Sequence, residues 1–570
     1  MRPRAPGSPR GTSGHRPTVN EVPALRIALI GFGPRGFGCL ERLAIEAARR
    51  EPGSAPVHVT AHDPRPHPGA GLPYDPDQPD GMLLNFSARH VDAWSEDNHL
   101  LSPSDRPSFV EWLGRFHPEW AAGAGFVPRR LFGAYLRDCT ERLIAALPVT
   151  MRFRHVQGEV VDLELVPGGW DVRHVDPALD IARVDEVMVA TGHGTGDRDR
   201  AFERWDRELP LAPSTRRIPS VYPVAHRLQP EVVPGGSTLG ARGFALTWID
   251  AVLAVTQGRG GRFEEEAGPI PRYHGSPGSE PRVAPFSRTG LPLLAKSGPE
   301  LDRRSEELHR IWDTLRRGIR RADRLTPARL ERRLNRAAAR ALEALGAGSA
   351  VRAVPSSALH AMERSVRVAA GDLPPDLAWA RGEAWRRAYP AMVDRAGVGG
   401  ITAAWPAEFS RLARTMERIA FGPPPGNLAR MVSIARAGHL DLRFVHHPGI
   451  RAFQGCLVLE SSGASLRLDA IVNAVLPPPG VHPDTPLLYR LLRKGHVCLA
   501  PVWHGMVVTD SAGSIGPDGM PVPGLSVVGR ATEGWVLGND TLNRTLHGHT
   551  RRWARRVLEP ALQAATRAVP

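Results

Sequence analysis

Apolar and polar positions along the chain fall into short strands and amphipathic helices that run through one cycle and then start again. Arg26 to Ile30 opens the first cycle as a short apolar run of the kind that fills a buried parallel strand. It passes through Gly31-Phe-Gly33-Pro-Arg-Gly36 into a helical pattern with Leu40, Leu43, Ala44 and Ala47 on one face. VHVTAHD, ending on Asp63, reads as the next strand, and the Gly-, Pro- and Asp-dense passage over 64–90 reads as loop. PSFVEWLGRF predicts a helix with Ser108 at its start, and 126–147 predicts another with Leu131, Tyr135, Cys139 and Leu143 at helical spacing. MRFRHVQGEVVDLELV, WDVRHV and VDEVMVATGHG then predict a three-stranded meander returning to a buried strand that ends in Ala190, Thr191 and Gly192.

From about residue 206 the cycle repeats. GGSTLGARGFALTWIDAVLAV predicts a short strand, glycines at Gly240 and Gly243, and a helix carrying Leu246, Ile249, Asp250 and Leu253. Over 301–324, Leu308, Ile311, Trp312, Leu315 and Ile319 share one face and arginines the other. Thr326 and Pro327 supply an N-cap and first-turn proline for a second helix with Leu330, Leu334 and Leu342, closed by Gly346. More helix is expected around 376–395 and 405–420. LDLRFVHH, GCLVLES and SLRLDAIVNAVLPPPG repeat the meander, and GLSVVGRATEG leads into a Gly/Asn loop and a basic terminal helix. The class implied is α/β, with two nested Rossmann-like dinucleotide-binding domains, β-meanders and a mostly helical insertion. The expected boundaries are a disordered basic tail over 1–23, the first domain over 24–205 and 476–570, the second over 206–300 and 431–475, and the insertion over 301–430.

The glycines give this pattern its chemistry. In G-x-G-x-x-G spacing, Gly31 makes the tight turn, Gly33 lets backbone approach a pyrophosphate, and Gly36 allows close packing of helix on strand. Such a turn offers free N–H groups and the positive end of a helix dipole. Asp63, at the end of the following strand, stands where an acid holds a ribose hydroxyl. The alternative is a glycine-rich turn that binds nothing. The second motif is degenerate, because Gly243-Phe-Ala245 stands where G-x-G belongs, and a plain helix start is the alternative there.

Composition narrows the class. The 570 residues are 42% hydrophobic and 23% charged, as in globular proteins, and no stretch approaches the roughly twenty apolar residues of a membrane span. Residues 1–23 contain no apolar core of a secretory signal. Cys39, Cys139, Cys456 and Cys498 are scattered, with no C-x-x-C and no metal-ligand spacing, which suggests a reducing, cytoplasmic setting and leaves a disulfide reductase without its cysteine pair. The formal net charge of +14 is concentrated in two places: four arginines in the tail, and thirteen arginines against seven acids over 302–343. Only Lys296 and Lys494 are lysines, and no nucleic-acid module interrupts the chain, so neither nucleic acid nor membrane is expected as a partner.

GFGPRGFGCLERL, GAGLPYD, GMLLNFSA, FVPRRLFGAYL, VMVATGHG and GRATEG together resemble the FAD/NAD(P)-binding flavoprotein group that includes urate hydroxylase and aspartate N-monooxygenase, and more distantly the ornithine and lysine N-monooxygenases. The resemblance is strongest over 24–194 and 520–555, weaker over 232–263, and hardly visible over 300–420. It implies FAD in the first glycine site, NAD(P)H near the second, and oxygen activation at the flavin. Carried across by position, Gly31, Gly33 and Gly36 would hold the FAD pyrophosphate and Asp63 its ribose. Asn85 and Arg130 would lie along the cofactor, Thr191 and Gly192 beside it, and Gly529, Thr532 and Gly534 near its ribityl and ring portions. Gly240 and Gly243 would serve the nicotinamide nucleotide.

Catalytic residues do not stand out. His193 follows the buried strand and could contact flavin or substrate, though such a histidine also serves structure. Asn539, Asp540 and Asn543 sit in the last loop, where strand ends open onto a ligand crevice, and turn chemistry favours the same residues. His547 and His549 point apart if helical, and no further ligands make them a metal pair. Arg259 and Arg262 could grip a 2′-phosphate or simply be solvated. No G-x-S-x-G, P-loop or H-E-x-x-H occurs. The function expected is an FAD-dependent, NAD(P)H-consuming monooxygenase that uses oxygen to hydroxylate a small polar nitrogenous compound, an amino acid or purine-like molecule. Its rivals are a flavin dehydrogenase or oxidase with a vestigial nicotinamide site, and a non-enzymatic dinucleotide sensor.

Overall fold

The apolar run LRIALI becomes β1 (Leu25–Ile30), buried at every position except Arg26. A computed structural model describes residues 23–121, 125–192, 205, 207–297, 306–347, 357–477, 480–483, 485–538 and 546–559. The expected tail therefore lies almost wholly outside the described residues. After a tight turn comes helix Pro34–Ala47, and then β2 (Val57–Asp63), parallel to β1, with β3 (Met151–Gln157) parallel beyond it. β4 (Val160–Val166), β5 (Gly169–His174) and β6 (Ile181–Val184) form a separate antiparallel sheet, and β7 (Glu186–Val189) returns to the other side of β1.

This corrects the expected meander. MRFRHVQGEVVDLELV is two strands, split at Gly158: the first half pairs with β2, and only the second half belongs to the meander. A Cβ at Gly158 would lie 2.7 Å from the Leu179 side chain and 3.1 Å from His174, so glycine lets the chain leave the sheet beneath that packing.

The second cycle builds a second parallel sheet. β8 (Arg216–Ile218) and β9 (Thr238–Arg242) precede a small hairpin, β10 (Arg262–Glu264) and β11 (Arg272–His274), and then β12 (Arg282–Phe286). β13 (Gly449–Phe453), β14 (Cys456–Ser461) and β15 (Ala464–Leu468) form an antiparallel meander, after which β16 (Ala470–Asn473) rejoins the parallel sheet in the order β12-β9-β16-β8. LDLRFVHH is not one of these strands. It runs past β12 through single bridges at Leu440 and His446 and makes a 3-10 turn over Leu442–Phe444, because Asp441 accepts the Arg443 N–H and pairs with Arg282 and Arg443. The chain finally returns to the first sheet with β17 (Gly513–Ile515) and β18 (Pro521–Val527), giving the order β17-β18-β7-β1-β2-β3.

Both cycles solve one problem the same way. Where each meander hands over to a parallel strand, an aspartate ties the junction to the strand that leads into the glycine turn. Asp185 accepts the Arg26 N–H at 2.7 Å, and Asp469 accepts the Thr238 N–H at 2.7 Å. Each carboxylate satisfies a strand-end donor that the ladder leaves over.

The helical region comprises Glu306–Arg320, Pro327–Ala344, Ala358–Ala370, Leu377–Ala396, Pro406–Ala420 and Pro425–Arg436, with a short Ile401–Ala404 segment. Thr326 caps its helix through the Arg329 N–H, and Ser108 forms a full capping box with Glu111. Leu315, Ile319, Leu330, Leu334, Trp385, Met392 and Met416 pack in one core. Met362, Val366, Leu428 and Val432 instead share a core with Leu239, Val252 and Val472, so two of the helices cover the second sheet. Among the described residues no helix is long and apolar enough to cross a membrane. All four cysteines are free thiols.

Candidate cofactor and active site

β1 carries β2 on one side and β7 on the other, so a crevice opens beyond the carboxyl ends of β1 and β7. Gly31 sits there with φ +90°, and a Cβ on it would lie 2.8 Å from the Ala190 carbonyl oxygen; only glycine turns the chain that close to the crossing strand. Gly33 is the N-cap of helix Pro34–Ala47, and its Cβ direction faces the Gly71 Cα at 3.3 Å. A Cβ at Gly36 would sit 2.5 Å from the Gly31 oxygen, so this glycine seats the helix on the turn. Asp63 ends β2 with one carboxylate oxygen accepting the Phe32 N–H at 2.9 Å, and Arg65 clamps both oxygens. Burial pushes this carboxyl up, but Arg65 and the two N–H donors outweigh it and hold it below the usual carboxylate range. Asp63 thus braces the glycine turn at the place where an acid holds a ribose.

Thr191 and Gly192 continue from β7 along the rim, and Gly529 (φ +79°) and Thr532 follow β18 in a 3-10 turn beside Arg35. Gly534 is packed against Trp503, where a Cβ would lie 2.1 Å from the Trp503 Cβ. Several polar atoms around this crevice are shut off from solvent without a hydrogen-bond partner among the described residues: Thr191 Oγ1, Arg530 Nε and both ring nitrogens of His547; Asn85 Oδ1, in the residue that meets Lys296 and Phe421, is another. Buried polar atoms without partners are costly, and a polar cofactor in the crevice is the kind of group that satisfies them. The glycine cradle and these atoms fit a dinucleotide. His193, Asn539, Asp540 and Asn543 lie outside the described residues. Arg130 is turned outward to an ion pair with Asp80.

His547 and His549 do not point apart: their rings lie 4.7 Å centroid to centroid, because His547 precedes helix His549–Leu558 and does not belong to it. Burial, with Arg35 and Arg552 nearby, pushes His547 down to about 2 and His549 to about 4. His62, whose Nδ1 lies 2.9 Å from His174 Nε2, is pushed down to about 3 by burial and by His174. All three are neutral in the fold, while the unfolded chain takes up their protons near pH 6.5. Their contribution to stability is therefore fully present above about pH 6.5 and declines as pH falls toward 3, with a slope approaching ~1.4 kcal/mol per pH unit for each histidine. Denaturant midpoints measured from pH 7.5 to 5 are expected to drop, and His62→Gln to flatten the drop; a flat profile in the parent protein refutes the neutral-histidine assignment.

The second crevice repeats the first. Gly243 follows β9 with φ +125°, and a Cβ there would lie 2.6 Å from the Ala474 carbonyl oxygen, the same close pass that Gly31 makes at Ala190. Ala245 takes Gly33's place as the N-cap of helix Leu246–Val255, with φ −120°, a conformation any residue adopts, so the degenerate motif keeps its turn. Gly240 is away from the turn, inside β9 and packed on Leu468. A cavity of about 1060 Å³ opens beyond these strand ends, lined by Arg242, Gly243, Leu246, Arg288, Arg414 and Arg418 among others. Arg259 belongs to the other end of helix Leu246–Val255, where its guanidinium holds the Ser279 and Leu228 carbonyls, and Arg262 lies in the β10 hairpin; neither lines the cavity. Arg288, two residues past β12, lines it and pairs with no described residue.

Two buried groups escaped the sequence reading. Arg129, not Arg130, turns inward from the FVPRRLF stretch to bind Asp250 at 2.7 Å and Tyr222 at 3.2 Å, joining the two halves. Lys296, 8% exposed, donates to the Asn85 main-chain oxygen and stands 4.3 Å over the Phe86 ring, with burial holding its amine well below the usual lysine range. The rarity of lysine in this chain was the one signal that could have drawn attention to it.

Residues 28–194 match a family described as FAD-NAD(P)-binding. The chain is 30% identical over 305 residues to an L-aspartate N-monooxygenase (nitrosuccinate-forming) of Streptomyces cremeus, covering 49% of this chain and 44% of that protein. It is 27% identical over 278 residues to the nitrosuccinic acid synthase npaA of Aspergillus oryzae, covering 47% of this chain and 41% of that one. Among solved structures, the lysine monooxygenase NbtG of Nocardia farcinica aligns with 94% of this chain and 100% of its own, at 12% identity and a TM-score of 0.40. The chain spans less than half the length of these curated relatives.

Proposed function

We propose, from the FAD-NAD(P)-binding family match over 28–194, that the first crevice holds FAD, that the second holds NADPH, and that the chain is a flavin-dependent monooxygenase oxidising the amino nitrogen of a small amino acid. The observation that carries this reading is the repeated close pass, Gly31 at Ala190 and Gly243 at Ala474, at the switch points of two parallel sheets in one chain. The names of the curated relatives make L-aspartate the first substrate to try. FAD held there would supply the redox chemistry that links the nicotinamide to oxygen. The protein's residues bind, orient and exclude water. The N-terminus of helix Pro34–Ala47 offers free N–H groups to phosphate oxygens, and Thr191 and Asn85 offer buried polar atoms. The helices over 306–436 close the flavin side, where the Gly399 N–H and the Thr402 hydroxyl donate to the Trp535 carbonyl beside the Gly529–Gly534 turn. The setting proposed is the cytoplasm, with the small-molecule substrate and oxygen as partners and no role for nucleic acid.

The test is to mix the purified yellow protein with NADPH and oxygen over a panel of amino acids and purines, following NADPH consumption and nitrogen-oxidised product. Product formed in step with NADPH use supports the monooxygenase. Flavin reduction by substrate without NADPH replaces it with a dehydrogenase or oxidase, and no turnover with either reductant leaves a dinucleotide sensor.

The choice of NADPH over NADH rests on the end of β12. There an acid would favour the 2′-hydroxyl of NADH, but Ser287, Arg288 and Thr289 stand in its place. Arg288→Ala is expected to raise KM for NADPH about 10- to 100-fold, the loss of a charged contact worth ~1.5–3 kcal/mol, and to leave NADH unchanged. An equal effect on both nucleotides counts against this assignment.

A further inference from the structure

We propose that Arg414 and Arg418, one turn apart on helix Pro406–Ala420, bind the carboxylate of an anionic amino-acid substrate; this rests on the monooxygenase reading above and names the group that selects the substrate. Both line the large cavity, together with Leu293 and Phe421. This part of the lining borders the first domain: Asn85 Nδ2 donates to the Phe421 carbonyl at 3.4 Å, and the Arg414 guanidinium lies 5.7 Å from the centre of the Trp503 ring, which packs on Gly534.

Neither arginine forms an ion pair with a described carboxylate. Arg414 is held by the Ser410 hydroxyl at 2.7 Å, and Arg418 donates to the Pro292 carbonyl at 3.1 Å. These neutral contacts hold the two forks without an ion pair. Glu417, which lies between them in sequence, lines the same cavity. Other partly buried arginines among the described residues have an acid at hand, as Arg129 has Asp250 and Arg386 has Glu383. Arg414 is exposed at the cavity wall and Arg418 is partly buried, so the cost of a cation without an ion-pair partner falls on Arg418, and the planar guanidinium of each matches a carboxylate in bidentate fashion.

The nucleotide does not account for the pair. Its phosphates are assigned to the N-terminus of helix Leu246–Val255 and to Arg288, and its nicotinamide ring is an uncharged amide in the reduced form. The pair stands where the nucleotide cavity meets the flavin side, which a substrate must reach. Carboxylate binding at Arg414 and Arg418 places the rest of the molecule, amine included, between these arginines and the first domain.

The experiment compares the parent protein with Arg414→Gln, Arg418→Gln and the charge-retaining Arg418→Lys, all checked for FAD content and unfolding midpoint. L-aspartate binding is read by calorimetry on the oxidised protein, and steady-state constants are read for L-aspartate, L-asparagine and NADPH. The glutamine variants are expected to weaken L-aspartate binding and raise its KM about 10- to 100-fold, with NADPH KM and flavin content unchanged. The preference for L-aspartate over L-asparagine is expected to shrink, and Arg418→Lys to fall between. A rise confined to NADPH KM gives the pair to the nucleotide and overturns the proposal. A parent protein that turns over neutral amines as well as acidic amino acids also overturns it, while leaving the monooxygenase standing. NADPH-dependent turnover with no compound at all removes the functional reading itself.

Discussion

Asp250→Ala is expected to lower the free energy of unfolding by ~3–5 kcal/mol, read as a shift of the denaturant midpoint at unchanged slope. Asp250 lies on helix Leu246–Val255 with its side chain 2% exposed, and it accepts from both Arg129 and the Tyr222 hydroxyl. Burial works against the Arg129 charge, but Asp250 and Tyr222 outweigh it and raise its pKa above the ordinary value. Burial, then Asp250, raises the Tyr222 phenol well above its usual range, so it stays a donor at any ordinary pH. Removing the acid leaves a guanidinium in the interior with only the Leu83 carbonyl and a phenol for company. The double variant Arg129→Met with Asp250→Leu removes both charges together and is expected to recover much of the loss. A single variant that unfolds at the parent midpoint would show that the triad is solvated in solution. Because Arg129 opens helix Arg129–Ala145 within the first cycle and Asp250 stands on the helix of the second crevice, the same variant is also expected to loosen the register of the two crevices and slow nicotinamide-dependent flavin reduction.

Gly33→Val is expected to yield folded but colourless protein, with FAD affinity reduced more than about 100-fold. The N-cap backbone at Gly33 has φ −88°, so valine meets no conformational barrier there, and the nearest neighbour of its Cβ is the Gly71 Cα at 3.3 Å, a contact that relaxes with a small shift. The branch of the new side chain, however, covers the N–H groups at the start of helix Pro34–Ala47 to which a pyrophosphate must draw near. Gly36→Val is the contrasting case. Its Cβ would press to 2.5 Å on the Gly31 carbonyl oxygen and cannot be seated without displacing the helix, so this variant is expected to fail in folding and not in binding alone. Flavin absorbance per protein, measured beside far-ultraviolet circular dichroism, separates the two. A yellow Gly33→Val protein with parent affinity would remove FAD from the first crevice.

How much of this was legible beforehand follows from the range of each interaction. Hydrophobic periodicity and the glycine spacing are local, so strands, helices, the Thr326 cap and the Ser108 capping box could be read from a few neighbouring residues. The division of MRFRHVQGEVVDLELV between two sheets could not, because both halves have strand character and only pairing with β2 claims the first. LDLRFVHH has the composition of a strand, yet an aspartate with arginine partners from β12 and from its own turn bends it out of the ladder.

The two crevices divide in the same manner. The sequence by itself determined the α/β class, the two rounds of turn and meander, and the tight glycine turn at Gly31, Gly33 and Gly36, because each rests on residues close together in the chain. Only the tertiary structure decided that Gly243 makes the same close pass as Gly31 and that Gly240 does not. That difference depends on Ala474, a residue more than two hundred positions away whose carbonyl leaves no room for a side chain. Folding likewise turned Arg129 inward and Arg130 outward, put Arg259 at the wrong end of its helix, and brought Arg288, Arg414 and Arg418 to one cavity. In a chain with so many arginines, charge alone distinguishes none of them. Burial, and the presence or absence of an acid within reach, are properties of the packed molecule.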